Sequence, residues 1–152
     1  KENMIRLKTK LFEFARKEWK PILIAKIESQ LGVENASEIA GECDMVMVAR
    51  GDLGLMCDFR KLGVYQKKIT KDFKAKGKQV IVATQILNSV ADNFVPLRSD
   101  ILDVTNIILD GADGMMFSAT SSAKNPCLII KTAREIVSAV ESEVKLGALD
   151  SK

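Results

Sequence analysis

Four short runs rich in β-formers recur along the chain: "ILIAKIE" (22–28), "MVMVARGD" (45–52), "QVIVATQ" (79–85) and "GMMFSAT" (114–120). They are spaced roughly thirty residues apart, the interval of a strand followed by a helix. Helix-like stretches lie before the first run and after each of the four. That alternation forces parallel strands, because a crossover helix returns the chain to the same end of the sheet. The runs are continuously apolar at their starts, as strands covered on both faces are.

The intervening stretches carry helix punctuation. Leu7, Leu11, Phe14 and Ala15 recur at three- and four-residue steps, which predicts an amphipathic helix before the first strand. Asn35-Ala36-Ser37-Glu38 has the form of a capping box opening a short helix. Leu62, Tyr65, Ile69 and Phe73 make the apolar stripe of the next helix, with Gly77 as its stop. Ile101, Val104, Thr105 and Ile108 line another that ends near Gly111. Asn125-Pro126 predicts an N-cap and a first-turn proline, opening a last helix through about Val140.

Two architectures satisfy this pattern: a small doubly wound sheet, or a portion of a (β/α)8 barrel. The first usually carries a glycine-rich phosphate loop after an early strand, and none follows "ILIAKIE". The second places function at the carboxyl ends of its strands, where each of the four runs turns polar. The polar strand ends favour the second, an α/β fold with four parallel strands and helices as a partial TIM (β/α)8 barrel.

Composition narrows the chemistry. The chain has 152 residues, 47% of them hydrophobic and 28% charged, enough to bury one real core. There is no histidine, so His triads, His metal sites and His general bases are excluded. Cys43, Cys57 and Cys127 show no CxxC spacing, which points to reduced thiols and a cytoplasmic setting. No apolar run approaches bilayer-spanning length, and Lys1-Glu2-Asn3-Met4 lacks a signal-peptide layout, so no membrane role is expected. Residues 60–78 carry eight cations against Asp72 alone. Basic and apolar positions alternate there at helical spacing, which favours a solvated helix face over a nucleic-acid site.

Strand parity then suggests a shared rim. Side chains two apart on a strand share a face. Ile22, Ile24, Lys26 and Glu28 are expected to point one way, as are Val46, Val48, Arg50 and Asp52. Val80, Val82 and Thr84 repeat the pattern, and Met116, Ser118 and Thr120 repeat it again. Glu28 and Asp52, from neighbouring strands, could then grip one hard cation, Mg2+ or Mn2+. Lys26 would add a compact positive charge suited to an anionic, phosphoryl-bearing substrate. Backbone N–H groups at Arg50 and Gly51 would receive a carboxylate, and Thr84 would add a hydroxyl. Each group also has an ordinary explanation. Lys26–Glu28 could be a surface ion pair, Asp52 a turn cap, Gly51 and Gly54 turn geometry, and Thr84 a plain strand residue.

At these residues the chain resembles the pyruvate kinase family. "AKIES..GVEN..EI" is similar to its Lys-Ile-Glu stretch, and "VMVARGDLG" to its metal and substrate motif. "GKQVIVATQIL" and "DVTNIILDGADGMMFS" resemble its next two motifs in the same order, with similarity from about Pro21 to Val140. The resemblance implies phosphoryl transfer from phosphoenolpyruvate to ADP, giving pyruvate and ATP in glycolysis, with Mg2+ and K+. Lys26 would stabilise the transferring group and the enolate, while Glu28 and Asp52 would hold the divalent ion. Backbone at Ala49, Arg50 and Gly51 would seat the substrate, and Thr84 would lie beside the methylene carbon that takes up a proton. The K+ ligands would not be in this chain.

The resemblance also implies limits. Residues 1–152 correspond to the C-terminal half of the family's barrel domain, without its lid and C-terminal regulatory domains. A half barrel leaves open strand edges and an uncovered apolar interior. The expectation is therefore a fragment or split subunit that needs the missing barrel half or a second copy, within a homo-oligomer, and that is inactive alone. Three segments depart from the family pattern: Leu55–Asp58, Leu97–Asp100 and Ala119–Ser122. They motivate a second reading, a non-catalytic pyruvate-kinase-like assembly protein. A third is a metal-dependent 2-keto-acid aldolase or lyase of a related barrel.

Overall fold

In a computed structural model the described residues are 2–14, 19, 21–118 and 124–149. Four parallel strands with flanking helices form one sheet in the order β1-β2-β3-β4: Ile24–Ile27, Met45–Ala49, Gln79–Ala83 and Gly114–Met116. This is the α/β architecture expected of a partial barrel. The helices are α1 (Glu2–Phe14), α2 (Gln30–Glu34), α3 (Ala36–Ala40), α4 (Arg50–Met56), α5 (Leu62–Lys74), α6 (Arg98–Leu109) and α7 (Pro126–Lys145). No described helix is long and apolar enough to cross a membrane. Contacts divide the chain into two compact units, Lys1–Ile81 and Val82–Lys152.

In the first unit, register overturns the expected parity. β1 pairs with β2 as Ile24↔Met45, Ala25↔Val46, Lys26↔Met47 and Ile27↔Val48. Paired residues of a sheet share a face. Lys26 therefore lies with Met47, not with Val46 and Val48. Ala25, Ile27, Val46 and Val48 form the buried face. α5 packs on β2 and α3 packs on α5, bringing Ile69, Phe73 and Ile39 into the same buried core. The other face, with Ile24 at 40% exposure and Met45 and Met47 half-buried, is only partly covered.

The strands also end earlier than expected. β2 stops at Ala49, and Arg50 and Asp52 belong to α4, so alternation no longer fixes their direction. β3 stops at Ala83 and β4 at Met116. β2 passes into a helix and β3 into a turn, so their polar carboxyl ends leave the ladder. The Thr120 expectation and the altered loop at Ala119–Ser122 lie outside the described residues.

Helix punctuation fared better. α5 buries Tyr65, Ile69 and Phe73 and ends in a Schellman motif: the Gly77 N–H donates to the Lys74 carbonyl at 2.9 Å and the Lys78 N–H to Phe73 at 3.0 Å. Gly77 has φ +67°, which glycine adopts without a Cβ penalty. Asn35 does open α3, but it makes no side-chain cap. It also closes α2, and its side-chain amide donates to the Leu31 carbonyl at 2.8 Å instead. α1 is helical as its spacing predicts, yet none of its residues is buried; Ala15 lies outside the described residues.

In the second unit α6 packs against α7. Of the expected stripe α6 buries Val104, leaves Thr105 and Ile108 half-buried and exposes Ile101, while Ile107, outside the stripe, is buried. α7 begins at Pro126 as expected but continues past Val140 to Lys145.

Candidate active site at the carboxyl ends of the strands

In the first unit the site begins where β1 turns into α2. Lys26 is the third residue of β1, and Glu28 follows the strand's last residue. Ser29 then accepts the Gly32 N–H at 3.3 Å and caps α2. The sequence reading missed this cap; a serine three residues before a glycine was its faint signal.

Lys26 Nζ lies 2.5 Å from Glu28 Oε1. That oxygen is shielded from solvent, and the ammonium is its close partner. The Glu28 carboxylate, first as a hydrogen-bond acceptor and then by its charge, holds the Lys26 ammonium above its ordinary pKa; desolvation opposes this, and the charge of Asp52 adds to it. Lys26 thus responds to two carboxylates that the sequence places 24 positions apart, counted from 28 to 52.

Asp52 reaches this neighbourhood by a route that parity does not describe. β2 passes directly into α4 at Ala49, whose φ of −85° and ψ of 78° break the ladder. Arg50 is buried, Gly51 is half-buried, and Asp52 is exposed in the first turn of α4. Ala49 to Asp52 are therefore contiguous along one strand-to-helix corner. The altered segment Leu55–Asp58 forms the end of α4 and the start of a short 3-10 turn. Leu55 and Met56 are exposed there, and Asp58 accepts the Arg60 N–H at 3.1 Å. The Arg60 guanidinium beside it holds the Asp58 carboxyl below its ordinary pKa.

Thr84 belongs to the second unit. It does not continue β3: its φ is 72°, and Gln85 and Leu87 follow at 53° each. Left-handed backbone at a non-glycine residue costs about 1–3 kcal/mol and persists where surroundings enforce it. The Thr84 N–H donates to the Met116 carbonyl at 3.3 Å, tying it to the end of β4. Ser118 follows β4 and is half-buried. The strained turn gave no sign in "VATQILN", which has no glycine or proline to mark it.

A divalent ion can be tested against the donors present. Among the described residues no group of three or more His, Cys, Asp or Glu is placed to hold a metal. Glu28 and Asp52, oxygen donors that both act on the Lys26 ammonium, suit a hard cation that completes its shell with water and substrate oxygens.

Known proteins match the chain along most of its length. The family profile described as "Pyruvate kinase, barrel domain" matches residues 9–128. A pyruvate kinase of Thermoplasma acidophilum is 41% identical over 127 residues, covering 83% of this chain and 23% of that protein. One of Thermotoga maritima is 42% identical over 136 residues, covering 88% and 29%. One of Mycobacterium tuberculosis is 41% identical over 120 residues, covering 78% and 25%. The chain thus spans between 23% and 29% of the length of these curated relatives. With its strand-end motifs on a parallel α/β sheet and this similarity across its length, the chain belongs to the pyruvate kinase family, within the barrel domain.

Proposed function

We propose that this chain carries the phosphoryl-binding and metal-binding part of a pyruvate kinase active site. The reaction moves a phosphoryl group from phosphoenolpyruvate to ADP, giving ATP and an enolate that gains a proton to become pyruvate. The observation that carries the reading is the Lys26 ammonium set against Glu28 and within the field of Asp52. An ammonium there neutralises charge on the transferring phosphoryl oxygens and on the enolate oxygen, while the carboxylates keep it from leaving the rim.

Glu28 and Asp52 would hold Mg2+ or Mn2+. When bound, the ion supplies Lewis-acid charge to the phosphoryl oxygens. Backbone at Ala49, Arg50 and Gly51 seats the substrate carboxylate. The Thr84 hydroxyl stands beside the methylene carbon and orders the delivery of its proton. A requirement for K+, a homo-oligomeric state and a cytoplasmic, glycolytic setting belong to the same reading, as does completion of the barrel by further polypeptide.

The direct test supplies the rest of the barrel as a separate polypeptide and measures ADP-dependent pyruvate formation from phosphoenolpyruvate. The full chain should confer Mg2+-dependent turnover, and no gain over the partner alone overturns the reading. The metal assignment has its own readout, the titration of the Lys26 Nζ resonance. Without divalent ions its pKa lies above the ordinary lysine value. Saturating Mg2+ should lower it, because a dication on Glu28 and Asp52 displaces the ion pair and repels the ammonium. An unchanged Lys26 titration removes the ion from these two acids.

A further inference from the structure

Beyond β3 the second unit contains a turn that its residues disfavour. Thr84, Gln85 and Leu87 all have positive φ, which L side chains avoid, a β-branched threonine most of all. Such a turn persists only where its neighbours leave no alternative. Upstream, the Thr84 N–H is held by the Met116 carbonyl, and Ile86 and Leu87 are fully buried. Downstream, the restraint is Ser89.

The Ser89 N–H donates to Asp100 Oδ2 at 3.1 Å, and its hydroxyl donates to the same oxygen. That hydroxyl accepts the Leu97 N–H at 3.0 Å. The Ser89 carbonyl accepts the Asn93 N–H and the Asn93 side-chain amide, each at 2.9 Å. Every polar atom of Ser89 is engaged. Asp100 is the third residue of α6, a helix anchored by buried Val104 and Ile107. Leu97 at the N-cap has no capping side chain, so the Ser89 hydroxyl accepts its N–H as an N3 glutamate does in a capping box. One carboxylate oxygen therefore ties the strained turn to the start of a packed helix.

We propose that Asp100 is a positioning residue: through Ser89 it keeps the Thr84–Leu87 turn left-handed and so fixes Thr84 at the end of β3. Its catalytic consequence rests on the role proposed above for Thr84; the restraint itself does not. The altered Leu97–Asp100 segment is then more than a connection. The competing account makes Asp100 a cap of α6 and nothing else. A cap alone would leave the turn unchanged on its removal.

The test uses NMR on the full chain. In Asp100→Ala, Thr84 should lose the strong intraresidue Hα–HN NOE of positive φ. Its amide should exchange about tenfold faster or more, the effect of removing a charged hydrogen-bond acceptor. Val80, Val104 and Ile107 amides should keep their wild-type exchange. Ser89→Ala should behave alike, and Ser89→Thr, which keeps the hydroxyl, should restore the wild-type signature. A wild-type NOE and exchange rate at Thr84 overturn the proposal, and so does a uniform acceleration through the unit. If Asp100→Ala does not fold, the Ser89→Ala and Ser89→Thr pair decides by the same criteria. In the reconstituted enzyme, Asp100→Ala should slow deuterium entry into the pyruvate methyl group with KM for phosphoenolpyruvate unchanged. Absence of wild-type turnover would count against the proposed function, while the NMR result would still decide the positioning role.

Discussion

Lys26→Met should lower pyruvate formation by about 10²–10³-fold in the reconstituted enzyme, the usual loss when one preorganised electrostatic donor is removed. The loss should fall on kcat more than on KM. The ammonium meets its full complement of negative charge only as the phosphoryl group leaves and the enolate forms. Lys26→Arg should not rescue the rate, since a planar, weakly hydrated fork does not replace a compact point charge. The ordinary alternative is a surface ion pair of Lys26 with Glu28, whose side chains are 55% and 39% exposed. A pair so exposed contributes little to stability, because solvent screens it. Both accounts therefore predict a small change in the urea midpoint, and only the catalytic one predicts the collapse in turnover. Unchanged kcat with a slightly lower midpoint would assign Lys26 to the surface.

How much of this was legible in the sequence depends on which residues carry each feature. Strand interiors were legible because Val46, Val48, Val80 and Val82 are fully buried, and burial is what an apolar run encodes. Helix ends at Gly77 and Gly111 were legible because positive φ there selects glycine. Register was not. Alternation says that Lys26 and Glu28 share one face and that Val46 and Val48 share another, but only pairing says which faces coincide. The Ile27↔Val48 pairing puts Lys26 opposite the expected set. The rim residues failed for a related reason. Period-2 alternation ends before Arg50 and Asp52, where the chain is already helical, and before Thr84, where it has turned left-handed. Even so, Asp52 acts on Lys26, because proximity at a strand end survives a wrong account of direction. The Ser89–Asp100 tie spans 11 residues and two ordinary polar side chains, so no local pattern announces it.

Phe73→Ala should destabilise the chain by about 3–5 kcal/mol, measured from the urea midpoint at constant slope. Phe73 has no exposed surface and is the largest fully buried side chain among the described residues. It lies on the buried face of α5, the helix that packs on β2 and α3. Its carbonyl also receives the Lys78 N–H that closes the helix and leads directly into β3. Truncation therefore opens a cavity at the point where helix, strand and helix stop share one residue, and little there is free to collapse into it. That loss is a large fraction of the roughly 5–15 kcal/mol that holds a typical domain folded. Phe59, 74% exposed on the short 3-10 turn before α5, supplies the contrast: Phe59→Ala should shift stability by no more than about 0.5 kcal/mol. Because α5 supports β2, and β2 delivers Arg50–Asp52, Phe73→Ala should also speed amide exchange at that strand-to-helix corner. Equal losses at Phe73 and Phe59 would mean that α5 is not the floor on which this rim stands.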